Sequence, residues 1–166
     1  MKNIILGGGC FWCIEAALKE LEGVEKAVSG YAGGHKEDPS YEEVCKGDTG
    51  HAEVVKITYD SEKLTLEKLL RKFFKIHNPT TENRQGPDQG SQYRSIILYN
   101  DIEQKKTIDK LIDELGTSYK EPIVTEIREL DKFYKAEEKH QDYFAKNPES
   151  RYCKVQIPPK IEKVKD

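Results

Sequence analysis

Cys10 and Cys13 stand on either side of Phe11-Trp12, directly after Gly7-Gly8-Gly9. Before the glycines, Lys2–Leu6 reads as a short strand. After them, Phe11–Leu21 reads as a helix, with Ile14, Ala17, Leu18 and Leu21 at helical spacing. A cysteine at such a junction meets the orphan backbone N–H groups and the positive dipole end of the helix, which stabilise an anion. The anion here would be a thiolate, since both a helix N-terminus and a C-x-x-C pair lower a cysteine pKa. Glycine lets the chain turn sharply and leaves the sulfur accessible. Two cysteines three residues apart are helix neighbours and can join in a disulfide. The two aromatics suggest the wall of an apolar pocket. Two plainer readings compete. One makes the cysteines inert and Phe11 and Trp12 simple core. The other is zinc, but a four-thiolate site needs two close pairs, and Cys45 and Cys153 are isolated. A dinucleotide fingerprint fails because Trp12 occupies a required glycine position.

A second chemical segment is Gly47–Glu53, which leads into the clearest strand, Ala52–Asp60. Side chains alternate along a strand, so His51, Glu53, Val55, Ile57 and Tyr59 share one face. A carboxyl pointing the same way as Val55 and Ile57 loses water, its pKa rises, and it can serve as a general acid. The ordinary alternative is a glutamate at the strand edge that reaches solvent. A third segment, Gly86–Ser95, offers Asp88, Gln92 and Tyr93 within the long aperiodic stretch Asn78–Arg94. Long loops in compact domains are often functional, although composition alone favours a plain Asp-containing turn here.

The elements that must position these groups alternate between strand and helix. Val24–Tyr31 reads as a strand, Tyr41–Cys45 as a helical turn, and Leu66, Leu69, Leu70, Phe73 and Phe74 mark a helix ending before Asn78-Pro79. Ser95–Tyr99 reads as a buried strand and Asp101–Leu115 as a helix capped by Asp101 and followed by Gly116. Ile123–Leu130 reads as a strand and Ala136–Ala145 as a helix stopped by Asn147-Pro148. The remainder, about 147–166, carries Pro158-Pro159 and reads as an irregular tail. The alternation predicts an α/β (α+β) fold, one domain spanning 1–166, with helices packed on a mixed sheet.

Bulk properties narrow the function further. The 166 residues are 36% hydrophobic and 34% charged, with a formal net charge of −3 and both signs interspersed. That leaves no basic footprint for a phosphate backbone, so a nucleic-acid role is excluded. No segment approaches the roughly 20 apolar residues of a membrane span. Ile4-Ile5-Leu6 is too short for a secretory core of about 7–15 residues. The expectation is a cytoplasmic protein whose four cysteines are not structural disulfides.

Together the motifs resemble the A-type peptide methionine sulfoxide reductases. The matching stretches are Gly7–Glu15, Ser29–Val55, Phe73–Ile97 and Glu137–Phe144 with Asn147-Pro148. They span nearly the whole chain in the family's order. The resemblance implies a plait-like sheet and reduction of the S-epimer of methionine sulfoxide, free or in proteins, the two epimers having separate enzymes. It implies Cys10 as nucleophile, Phe11 and Trp12 as the wall for the substrate methyl, and Glu53 as acid. It also implies Tyr41 and Tyr93 as holders of the sulfoxide oxygen and Asp88 as a polar contributor. Cys45 falls where the family usually has a cysteine and is expected to be buried and structural. Cys13 departs from the family's commoner glycine. Cys153 sits where the family places a tail cysteine, but the second tail cysteine of some members is missing.

The implied mechanism runs from Cys10 attack on sulfur to a sulfenic acid, which a second thiol converts to a disulfide. Thioredoxin or another dithiol then reduces it by exchange, and no cofactor or metal need be bound. Cys13 and Cys153 are both candidates for the second thiol, with the tail cysteine favoured because a mobile tail could swing in. Two other classes compete: a thioredoxin-like disulfide oxidoreductase, which leaves Glu53, Tyr41 and Tyr93 without a role, and a zinc-binding interaction module, which uses the cysteines alone.

Overall fold

The structure, a computed structural model, describes residues 1–165. In chain order its elements are β1 (Lys2–Gly7), α1 (Phe11–Leu18), β2 (Val24–Ala32), α2 (Tyr41–Cys45), β3 (Ala52–Tyr59) and α3 (Leu66–Lys75). Then come the two-residue strands β4 (Arg84–Gln85) and β5 (Asp88–Gln89), β6 (Ile96–Tyr99), α4 (Ile102–Gly116), β7 (Glu126–Glu129) and β8 (Phe133–Lys135). Two helices close the list, the single-turn α5 (Tyr143–Lys146) and the longer α6 (Arg151–Val164). The main sheet runs β7-β6-β1-β3-β2-β8. Only the β6–β7 pair is parallel.

Two crossovers interleave in that order. The path β1–α1–β2 passes over β3, and β3–α3–β6 passes over β1, which gives the plait-like sheet expected. The register pairs Leu6 with Val55 and Tyr31 with Glu53. The C-terminal end of β1, where Cys10 follows, therefore lies beside the N-terminal end of β3, where Glu53 sits.

Alternation divides the core. Ile4, Leu6, Val55, Ile57 and Ile97 join α1, α3, α4 and α6 in the larger cluster. Ile5, Val54, Ile96 and Leu98 form a smaller one on the other face, covered by Leu130 and Phe133. Almost every residue of α1 is buried, as expected for a helix apolar all round. It is enclosed between the sheet and α6.

Several sequence expectations need correction. The 147–166 stretch is not an irregular tail, because most of it is α6. Cys153, Ile157, Ile161 and Val164 recur at helical spacing and pack into the main core. Burying that stripe outweighs Pro158 and Pro159, which lack N–H donors and usually break a helix. The helix expected over Ala136–Ala145 is broken into a 3₁₀ turn, Glu138–His140, and the single turn of α5. Its polar groups are committed elsewhere. The Gln141 amide bonds the backbone of Ser29 and Ala136, and the Asp142 N–H donates to Glu15 while Asp142 takes φ 51°. Strand β8 was not legible, and β7 is shorter than Ile123–Leu130. The Asn78–Arg94 loop holds the β4–β5 hairpin and a 3₁₀ turn, Ser91–Tyr93.

If α6 packs as described, Ile157→Ala, at a fully buried site, should lower unfolding free energy by about 2–5 kcal/mol. Val155→Ala, at an exposed site, should change it by under about 0.5 kcal/mol. Urea denaturation checks both, and equal small effects would return the segment to an irregular tail.

Candidate active site

The turn between β1 and α1 is held by what surrounds it. A Cβ on Gly7 would lie 2.7 Å from the Glu53 carbonyl oxygen. Gly9 takes φ 89° while its N–H donates to the Tyr93 carbonyl at 3.0 Å. Cys10 is the N-cap of α1 and is 7% exposed.

Glu53 comes from β3 and is 1% exposed. Its Oε1 accepts from the Phe11 N–H, in the first turn of α1, at 3.1 Å, while Oε2 is buried with no partner. Burial pushes its pKa up to about 8; the Phe11 N–H opposes, and the Asp88 and Cys13 charges add to the rise. Near neutral pH this is a protonated carboxyl whose second oxygen no protein group uses. Tyr41, in the first turn of α2 behind a Ser40–Glu43 capping box, and Tyr93, from the 3₁₀ turn, complete the polar side. Burial first, then the nearby Glu53, pushes both phenols well above their ordinary range, so both remain O–H donors.

The apolar side is aromatic. The buried Phe11 ring lies 5.7 Å from Tyr31, 6.3 Å from Tyr41 and 5.5 Å from His140, between centroids. Trp12 stacks on Tyr143 at 3.6 Å, nearly parallel, and its Nε1–H donates to His140 Nδ1 at 3.2 Å. Glu137 ties the cluster down, accepting from the Tyr31 hydroxyl at 2.8 Å and the Tyr41 N–H at 2.9 Å.

The thiols depart from the simple helix-dipole expectation. Burial, the hydrogen bond given to Cys13 and the nearby Glu53 raise the Cys10 pKa well above its ordinary value, overcoming the Trp12 N–H that lowers it. Cys13 is the lowered member, at about 7, because Cys10 donates to it against the cost of burial. Cys13 in turn lies 3.7 Å from the Tyr152 hydroxyl, which donates to Asp88 at 2.6 Å. Since that hydroxyl has a single proton, the Cys13 thiol is the donor to Tyr152. A cleft of about 650 Å³ reaches Asp88 from the side of His77, Gln85 and Lys160, but Cys10 and Glu53 do not line it. Cys153 is fully buried in α6, and burial raises its pKa. Cys45 is exposed at the end of α2, not buried as expected. Among the described residues no three potential metal ligands converge.

Cys10, Cys13, Phe11, Trp12, Glu53, Tyr41, Tyr93 and Asp88 thus meet at one end of the sheet. His140, Tyr143, Tyr152 and Glu137 were not singled out in the sequence. The Glu137–Phe144 stretch gave a signal only as a matching segment, with no role for any residue.

The profile of the peptide methionine sulfoxide reductase family matches residues 2–166. "Peptide methionine sulfoxide reductase MsrA" of Natronomonas pharaonis is 58% identical over 97% of this chain and 92% of its own. The structure of Mxr1 from Saccharomyces cerevisiae in reduced form superposes with a TM-score of 0.87 at 39% identity, covering 92% of this chain and 88% of that one. Mxr1 in complex with Trx2 gives 0.63 at 28% identity, over 86% and 84%.

A carboxyl raised by folding makes stability pH-dependent with a definite sign. Glu53's contribution is fully present below the ordinary carboxylate range and is lost as pH rises through about 8. Unfolding free energy should therefore fall more steeply from pH 5 to pH 9 in the wild type than in Glu53→Gln. Chemical denaturation at the two pH values checks this, and parallel slopes would mean that Glu53 is charged in the native state.

Proposed function

Because this chain belongs to the peptide methionine sulfoxide reductase family, we propose that it reduces methionine-S-sulfoxide, free or in proteins, to methionine. The observation that carries the reading is the protonated, half-unpartnered carboxyl of Glu53 beside a buried thiol and an aromatic wall. Such a carboxyl can hand a proton to the sulfoxide oxygen, and Tyr41 and Tyr93 can hold that oxygen by donation. Protonation makes the sulfur electrophilic. Phe11 and Trp12 receive the methyl group. The S preference follows from the A-type resemblance.

Cys10 reacts as a thiolate, and the proton it sheds makes good the one that Glu53 gives to the sulfoxide oxygen. The Cys10 sulfur bonds to the substrate sulfur; the protonated oxygen then passes from that sulfur to Cys10 as the sulfur–sulfur bond breaks, so methionine leaves and Cys10 is a sulfenic acid. A second thiol attacks Cys10, releasing water and leaving a disulfide. Cys13 is that thiol in this reading, because it already touches Cys10, whereas Cys153 is enclosed in α6. The swinging-tail premise for Cys153 has no support in a packed helix. Cys153 can follow as a second-stage thiol once α6 opens. Two electrons from a thioredoxin-like dithiol restore the enzyme, with no cofactor required, in a reducing compartment such as the cytoplasm. No helix among the described residues is long and apolar enough to cross a membrane. A plain disulfide oxidoreductase has no use for a buried neutral carboxyl flanked by two buried phenols.

Two kinetic outcomes follow. With dithiothreitol, Cys10→Ser should lose methionine formation entirely, and Glu53→Gln should be slowed roughly 10²–10⁴-fold. A near-wild-type rate for the latter would assign proton delivery to water. After one equivalent of sulfoxide, peptide mapping should find Cys10–Cys13. Finding Cys10–Cys153 alone would reverse the order of the two thiols.

A further inference from the structure

Two side-chain atoms in the aromatic site are buried without a partner: Glu53 Oε2 and His140 Nε2. Glu53 has a role in the proposed chemistry, and His140 has none. His140 is 4% exposed, with Tyr41 4.4 Å away and Phe11 5.5 Å away between ring centroids. Its tautomer is set by geometry. Indole Nε1 can only donate, so His140 Nδ1, 3.2 Å from it, must be the acceptor. The neutral ring then carries its proton on Nε2. Burial holds the ring neutral by lowering its pKa, against the pull of Glu137.

Among the described residues no acceptor meets this buried N–H, which costs about 1–3 kcal/mol. A methionine sulfoxide residue, by contrast, carries acceptors only at its sulfoxide oxygen and its main-chain carbonyls. We propose that His140 Nε2–H is a further substrate-binding donor, which takes an acceptor oxygen of the bound methionine sulfoxide while Nδ1 holds Trp12 in place. The inference rests on the sulfoxide-reductase reading and adds a residue to its site.

Two substitutions separate the two ring nitrogens. The amide oxygen of Asn reaches about as far as Nδ1, so His140→Asn keeps an acceptor for Trp12 and removes the Nε2 donor. The amide nitrogen of Gln reaches about as far as Nε2, so His140→Gln keeps the donor and removes that acceptor. Trp12 is the only tryptophan, so emission reports its surroundings alone. The expected result is wild-type emission with kcat/KM down about tenfold for Asn, the loss of one hydrogen bond. For Gln, emission should shift with a smaller kinetic loss. Equal losses, or a larger loss for Gln, would overturn the proposal and leave His140 as a support for Trp12. Assays on dimethyl sulfoxide and on N-acetylmethionine sulfoxide amide identify the acceptor. A penalty in the Asn variant on both substrates assigns the sulfoxide oxygen, and one confined to the amide assigns the main-chain carbonyl. If the wild type reduced neither substrate, the sulfoxide-reductase reading itself would fail.

Discussion

Glu53 keeps its carboxyl where water does not reach it, with one backbone N–H as its only partner among the described residues. An ionised carboxylate there would be costly, so the group stays protonated. The position depends on three features at once. Strand β3 must lie beside β1 in the register that sets Glu53 past Val55. A residue without Cβ must stand at Gly7, where the strands come closest. Helix α1 must begin at Phe11, so that its first N–H finds Oε1. The same helix start presents Cys10, which brings a buried carboxyl and a buried thiol together through one turn of chain.

The aromatic wall is supported from residues far along the chain. Trp12 is fixed by Tyr143 on one face and by His140 at its N–H. Tyr41 and Tyr31 are both tied to Glu137. Glu15, buried within α1 with its pKa raised to about 7, mainly by burial, accepts from the Asp142 backbone and from Ser29. That contact stops the helical run at Gln141-Asp142 and turns α5 toward Trp12. Loss of local helix thereby serves the site.

Helix α6 joins redox chemistry to packing. Its first turn places Tyr152 between Cys13 and Asp88, and the next residue is Cys153, in the core beside α1. A disulfide between Cys10 and Cys13 removes the thiol proton that Cys13 gives to Tyr152. That change lies at the α6 end that would have to open for Cys153 to react. The buried stripe of Cys153, Ile157, Ile161 and Val164 opposes such opening.

From the residues alone, the strand–turn–helix junction at Cys10 and most elements were legible. Period-two alternation placed Glu53 with Val55 and Ile57, helical spacing marked α1, α3 and α4, and the Gly-Gly-Gly-Cys turn marked the start of α1. These features are local, written in neighbours a few residues apart. What tertiary structure decided was nonlocal. Proline content hid α6, since only packing against α1 and α3 offsets the missing N–H groups. The break at Gln141-Asp142 depends on Ser29 and Glu15, more than 100 residues earlier in the chain. Burial and the hydrogen bond that Cys10 gives to Cys13, rather than the helix dipole, set the direction of each thiol's pKa shift. His140 acquires its meaning only beside Trp12 and Tyr41, because an unpartnered N–H can be recognised only after every neighbour has been placed.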